Sequence, residues 1–177
     1  MKIPITKDSW LSQFKKDMVY GDGKGWKEMG VEGKWAMFVG FGGTDKKMPV
    51  LGFDIAALKG KTFKKATLKF CIVFSGSDLA MVHEAKAILQ PWEENKATYK
   101  TLTKFGPAVS KVTVSGSWTY KSDPKWFSFD VTSIVKDCVA GKAFGIAIDT
   151  QSDSGVDRQI ESRESDHEDK RPYIEIE

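Results

Sequence analysis

Three arginines, Arg158, Arg163 and Arg171, lie within the last twenty residues, while lysines supply every other cation of the chain. Arginine presents a planar fork that matches a carboxylate in two-point contact. In the run RQIESR, Gln159, Glu161 and Arg163 would share one face of a strand, and Arg158, Ile160 and Ser162 the other. Arg158 and Arg163 are therefore candidates to grip a carboxylate on a ligand. Arg163 could equally hold Glu164, or a carboxylate of the capping turns, in a structural pair.

A second group with chemical potential is the acidic turn Glu164-Ser165-Asp166-His167-Glu168-Asp169. Clustered carboxylates offer the hard oxygen ligands that Ca2+ prefers. Asp166, Glu168 and Asp169 are the candidate ligands, against the alternative of a solvated loop. A third group comprises aromatics beside turn residues: Tyr20, Trp26, Trp118, Tyr120 and Trp126. Aromatic faces on loops offer rigid contact area to a flat apolar ligand such as a sugar ring.

No catalytic constellation emerges. Of the two histidines, His83 falls mid-strand with Glu84 on the opposite face, and His167 sits in the acidic turn. Glu93 and Glu94 are neighbours, and adjacent residues of an extended chain point apart, so they cannot flank one bond unaided. The segment GDGKG lacks the GxxxxGK[ST] spacing and the following helix of a phosphate loop. Cys71 and Cys138 make neither a disulfide framework nor a metal site. They read as buried thiols, with a helix-to-sheet disulfide as the alternative.

The elements that must position these residues follow from periodicity. In FSFDVTSIVKDCVAGKAFGIAID, from Phe127 to Asp149, the pattern changes twice. Phe127 and Phe129 alternate with polar residues, and Val131, Ile134, Val135, Cys138 and Val139 then mark one helical face. Phe144, Ile146 and Ile148 resume the alternation. Asp130 or Thr132 can cap the helix, and Gly141 suits its left-handed end. Phe53-Asp54-Ile55 repeats the Phe-Asp entry ahead of a shorter helical turn ending at Gly60. Further strands are expected at Trp10–Leu11, Met29–Gly33, Trp35–Phe41, Val50–Phe53, Phe63–Phe74, Leu79–Leu89, Val109–Val114, Arg158–Arg163 and Arg171–Glu177. Tyr99 and Phe105 are placed in a connecting loop. The sum is an all-β chain, an antiparallel β-sandwich of jelly-roll type with one or two short helices.

The chain has 177 residues, which fits one domain, 1–177, with a real core. Net charge is +3, yet residues 160–177 alone carry 3 basic and 7 acidic groups. The lysine coat elsewhere keeps a protein soluble and is compatible with an acidic polymer. No run approaches the ~20 apolar residues of a membrane span. The opening MKIPITKDSW lacks the apolar core of a signal peptide, which leaves a cytosolic chain or a piece of a longer secreted one. No nucleic-acid motif is present, and neither a nucleic acid nor a membrane is expected as partner.

The segments VYGDGKGW, VLGFDIAALKG with KKATLKFCI, LQPWEENKATYKT, WFSFDVTSIVKDCVAG with FGIAI, and IESRES before RPYIEI form an ordered set. In this set the chain resembles the DNRLRE domain family and the overlapping alginate-binding carbohydrate-binding modules of family 96. The resemblance implies a non-catalytic jelly-roll module, extracellular, and part of a larger chain such as a polysaccharide-degrading enzyme or a surface protein. Its partner would be a polysaccharide, neutral or acidic, of plant or algal cell wall, and Arg163 would then face a uronate carboxylate. Jelly-roll modules of this kind often hold a Ca2+ ion. The alternative is an adhesion or spacer domain without glycan binding. A small lyase or hydrolase is the third reading, and it lacks a convergent acid, base and nucleophile.

Overall fold

The computed structural model describes residues 1–21, 36–119, 124–151 and 155–177. Ten strands are present: β1 (Lys2–Ser12), β2 (Ala36–Gly42), β3 (Asp45–Phe53), β4 (Ala66–Ser75), β5 (Met81–Ile88), β6 (Phe105–Val114), β7 (Lys125–Asp130), β8 (Ile146–Thr150), β9 (Asp157–Glu161) and β10 (Tyr173–Ile176). One helix, α1 (Thr132–Val139), and two 3-10 turns at Ala56–Leu58 and Glu168–Lys170 complete the described elements. Every strand pairing is antiparallel, and the fold is the β-sandwich that the alternation predicts.

Two long strands tie the layers together. Lys2–Pro4 of β1 pairs with β10, whereas Ile5–Ser12 pairs with β3, and the register shifts between Ile5 and Lys7. Likewise β4 pairs with β10 at its start and with β9 at its end, shifting register between Ile72 and Phe74. A bulge adds twist and bends a strand, which lets one strand serve both layers. One layer accordingly extends from β3 through β8 and β5 to β6, and the other runs β1, β10, β4, β7.

Between them lies the core. Trp10, Leu51, Leu68, Phe70, Phe129, Ile146, Ile148, Ile160 and Ile174 are all buried there. Phe70 stacks on Phe129 with ring centroids 5.2 Å apart. Helix α1 contributes Ile134, Val135 and Cys138 from the stripe its spacing predicts, while Val139 at the helix end is exposed. A smaller apolar cluster (Leu11, Met48, Val50, Ile88, Trp92, Leu102, Ala147) forms on the outer side of the first layer, where the segment after β5 folds back over the sheet.

The repeated Phe-Asp entry is one device used twice. Asp54 accepts the N–H of Ala56 at 2.9 Å, and Asp130 accepts the N–H of Thr132 at 3.0 Å and its hydroxyl at 2.6 Å. The helix N-cap itself is Val131, so Asp130 acts one residue ahead of the cap, and Thr132 accepts from Ala66 N–H instead. Gly141 has φ +74°, a left-handed value that suits glycine just past the helix.

Two expectations change, for the first strand and for Phe105, while the buried thiols stand as expected. The first strand spans 11 residues rather than a short stretch at Trp10–Leu11, because Ile3 and Ile5 also turn inward between outward-facing neighbours. Phe105 begins β6 instead of lying in the preceding loop. Cys71 and Cys138 are buried and unpaired, and burial pushes their thiols to about 12 and about 11 respectively, so neither is a nucleophile near neutral pH. The strand expected at Met29–Gly33 lies outside the described residues.

Candidate functional site

On the outer face of the first layer, alternation sets Lys46, Met48 and Val50 of β3 beside Ala147 and Asp149 of β8, then Glu84, Lys86 and Ile88 of β5. The inner positions of the same strands, Leu51, Ile146, Ile148 and Ala85, are core. Lys46 Nζ lies 2.7 Å from Asp149 Oδ1, and Lys86 Nζ lies 2.6 Å from Asp149 Oδ2. Lys86 also approaches Glu84 at 3.5 Å, and Lys111 on β6 reaches Glu84 at 2.9 Å. The result is a row of charge, Lys46, Asp149, Lys86, Glu84, Lys111, in which three ammonium groups share two carboxylates.

Beside this row the segment between β5 and β6 leaves an open groove of about 310 Å³, lined by Lys46, Lys86, Tyr99, Thr103, Phe105 and Asp149 among others. Burial alone would raise Asp149. The hydrogen bonds and charges of Lys46 and Lys86 outweigh it and hold the carboxyl below its ordinary value. Burial works against the Lys86 cation, yet Asp149 and Glu84 prevail and hold its ammonium above the usual range. Glu84 is lowered, with burial opposing and Lys111 and Lys86 prevailing. Asp149, Lys86 and Glu84 are therefore each held in the ionised form near neutral pH. A groove with surplus cation and two aromatic rings suits an anionic, hydroxylated chain.

The sequence-based candidates fare differently. Tyr20 is only 2% exposed and stacks on Trp10 at 3.5 Å between centroids, so its face is committed to the core. Trp118 is buried too: its Nε1–H donates to Ile72 O at 2.9 Å, and it forms a bridge with Ser75. Arg158 is fully buried, donating through Nε to Ser75 Oγ at 3.1 Å and through Nη2 to Leu79 O at 2.6 Å. None of these three can meet a ligand from solvent. Both Trp26 and Tyr120 lie outside the described residues. Trp126 is 43% exposed, on strand β7 rather than on a loop.

Arg163 is spent on structure. Its Nε and Nη2 donate to the two oxygens of Glu94 at 3.0 and 2.7 Å, and Nη2 also lies 2.6 Å from Glu164 Oε1. Its backbone N–H donates to Asp8 Oδ2 at 2.7 Å, while Asp8 N–H donates to Glu94 Oε1 at 2.7 Å. Arg163, through its guanidinium and its backbone N–H together, thus ties β1, the segment after β5 and the chain leaving β9 into a knot. Trp92, two residues before Glu94, donates from Nε1 to Phe144 O at 3.0 Å and holds Lys7 Nζ over its ring at 4.2 Å.

The three calcium candidates are not brought together on one point in this structure. Asp166, Glu168 and Asp169 are solvent-exposed, and Glu168 pairs with Arg171 at 3.4 Å. Among the described residues the carboxylates that converge, within 4.8 Å, are those of Asp8, Glu94 and Glu164. These do not fit a Ca2+ ion, because the Arg163 guanidinium already occupies the place of the counter-cation. His167 Nδ1 lies 3.1 Å from the fully buried Glu161, an internal pair.

Lys46, Lys86, Tyr99 and Asp149 were not singled out by the sequence. The available signal was charge at alternate positions of otherwise apolar strands, in VHEAKAI and GIAID. No helix among the described residues is long and apolar enough to cross a membrane. Residues 1–177, the entire chain, match the model of carbohydrate-binding module family 96. No curated protein matches the chain.

Proposed function

Because the chain belongs to carbohydrate-binding module family 96, we propose that it is a non-catalytic module that binds an acidic polysaccharide in the Lys46–Lys86–Tyr99 groove. It would direct a parent enzyme or surface protein, outside the cell, to a plant or algal cell-wall glycan. The observation that carries this reading is the excess of ammonium over carboxylate along a groove with aromatic walls. Lysine ammonium groups meet carboxylates along a polymer without demanding one fixed geometry, and Tyr99 and Phe105 cover the apolar edges of sugar rings. A non-catalytic role agrees with the ionisation of the row. Lys86 is held as a cation, and Asp149 lies between two ammonium groups, so neither is poised to take or give a proton.

Affinity electrophoresis of the full chain in gels containing a polyuronate or a neutral glycan tests the proposal. Retardation by the polyuronate is expected, weakening as the Debye length falls from ~10 Å at 0.1 M salt to ~3 Å at 1 M. Migration unaffected by any polyuronate would overturn it and favour a spacer or adhesion role. Release of reducing sugar by the isolated chain would overturn the non-catalytic part.

A further inference from the structure

The opposite face of the sandwich carries a second pair of rings. Trp126 on β7 and Tyr173 on β10 flank β4, with ring centroids 5.7 Å apart at 58°. Register explains the meeting: Trp126 pairs with Cys71 and Tyr173 with Lys69, two residues apart on one side of β4, where Cys71 itself is covered. Phe127 and Phe129 turn inward on β7, as do Ile174 and Ile176 on β10, which leaves Trp126 and Tyr173 outward. Lys2 of β1 holds its Nζ 4.3 Å above the Tyr173 ring. Lys69 of β4 stands in register with Tyr173 on one side and Ser128 on the other. Neither Lys2 nor Lys69 forms an ion pair among the described residues. The acids on this side of β4 include Glu175, in register with Lys2, Asp130, whose carboxylate is bound to Thr132, and Asp169, which with Lys170 and Glu161 lies near the Cys71 thiol.

We propose that this face, Lys2, Tyr173, Lys69 and Trp126, is a second site for the same class of ligand, a carboxylated polysaccharide. The module is then bivalent, gripping one chain in the groove and another on the far side of the sandwich. The inference rests on the function proposed above. A single exposed aromatic is ordinary on any surface. Two rings set at an angle and flanked by two unpaired ammonium groups form a platform instead, spanning three strand spacings or about 14 Å. The rings offer apolar area to the C–H faces of successive pyranoses. The lysines meet the carboxylates that neutral glycans lack. Lys2 lies over Tyr173 in a cation–π contact, a weak hold at an exposed site and readily traded for a ligand carboxylate.

Bivalence gives a readout that affinity alone does not. A module with two back-to-back sites cross-links long polymers, seen as a rise in light scattering when substoichiometric protein is added to a high-molecular-weight polyuronate. The wild-type chain is expected to cross-link. Trp126→Ala and, separately, Lys69→Gln are expected to abolish the scattering rise and to lower affinity for the polymer several-fold. Trp126→Phe should restore most of both, and melting temperatures confirm that each variant is folded. Cross-linking by Trp126→Ala and Lys69→Gln equal to wild type would overturn the second site while leaving the groove proposal standing. If the wild-type chain binds no polyuronate at all, the groove proposal fails, and this inference falls with it.

Discussion

The molecule carries two clusters of paired charge, one centred on a guanidinium and one on ammonium groups, used for opposite ends. Around Arg163, three carboxylates (Asp8, Glu94, Glu164) surround one guanidinium. On the outer face of β3, β8 and β5, three ammonium groups share two carboxylates. The first cluster joins chain segments far apart in sequence: Arg163 lies 155 residues from Asp8 and 69 from Glu94. The second joins neighbouring strands that the backbone ladder already holds. A charge whose removal would release distant segments is structural. One that rests on an intact ladder is free to serve a ligand.

That contrast breaks most visibly at Arg163. Replacing Arg163 with Met leaves Glu94 and Glu164 without their counter-charge in a partly buried place. We expect a loss of about 3 kcal/mol, the low end for a broken buried pair because Arg163 is partly exposed. Denaturant titration measures it. Polyuronate affinity of the folded protein should not move, and a selective loss of binding at unchanged stability would reverse the roles assigned to the two clusters.

Acid should separate the clusters from the core in a second way. Burial, reinforced by the Arg158 charge, lowers His83 to about 4 from an ordinary 6.5. The fold therefore favours neutral His83: its contribution is complete above pH 6.5 and is lost as pH falls toward 4. The difference corresponds to about 3 kcal/mol across that window. Asp149 and Glu84 sit below their ordinary values, so they keep their charge to lower pH than free carboxyls do. Stability should therefore fall in this range while affinity per folded molecule holds. His83→Gln should flatten the stability profile, and an unchanged slope would remove His83 as its source.

How far the sequence reaches follows the same division. The strands, the Phe-Asp entries and helix α1 were legible because each depends on a local change of period. The outward position of Trp126 was legible for the same reason, since Phe127 and Phe129 alternate inward beside it. The fates of Tyr20 and Trp118 were not. Both sit near glycines and look like loop aromatics, but the partners that draw them inward lie across a turn or far along the chain: Trp10 for Tyr20, and Ile72, 46 residues away, for Trp118. The groove was hidden most completely. Lys86 and Asp149 are 63 residues apart, and only the antiparallel register that sets Glu84 opposite both Asp149 and Lys111 assembles the row. In one dimension those lysines are indistinguishable from a solubilising coat.

The groove is the place for a binding variant with little structural cost. Lys86→Gln keeps the stem and removes the charge, leaving Asp149 paired with Lys46 and Glu84 with Lys111. Polyuronate affinity should fall about tenfold, equivalent to 1.4 kcal/mol. Stability should drop by no more than about 1 kcal/mol, as for other solvent-accessible pairs. Calorimetric titration and thermal melts read the two effects. A variant that melts far below wild type would place Lys86 with Arg163, among the residues that hold the fold.

The smallest effect lies inside the knot, at Asp8. Burial comes first, and the Glu164 and Glu94 charges add to it, raising the Asp8 carboxyl well above 3.8; the Arg163 N–H acts in the other direction and does not win. A carboxyl raised in this way is one the fold prefers protonated. Its ionisation weakens the native state increasingly as pH climbs from the unfolded value through the folded one. With one cation for three carboxylates, the knot holds more negative charge than Arg163 can balance. Asn at this position keeps an oxygen to accept the Arg163 N–H and removes the surplus charge. Asp8→Asn should therefore stabilise the protein by about 1 kcal/mol at pH 7, and the gain should vanish below about pH 4, where Asp8 is neutral in both states. Denaturant midpoints at the two pH values decide it. A variant less stable than wild type at both would mean that the Asp8 charge itself anchors Arg163, and the surplus assigned to the knot would be wrong.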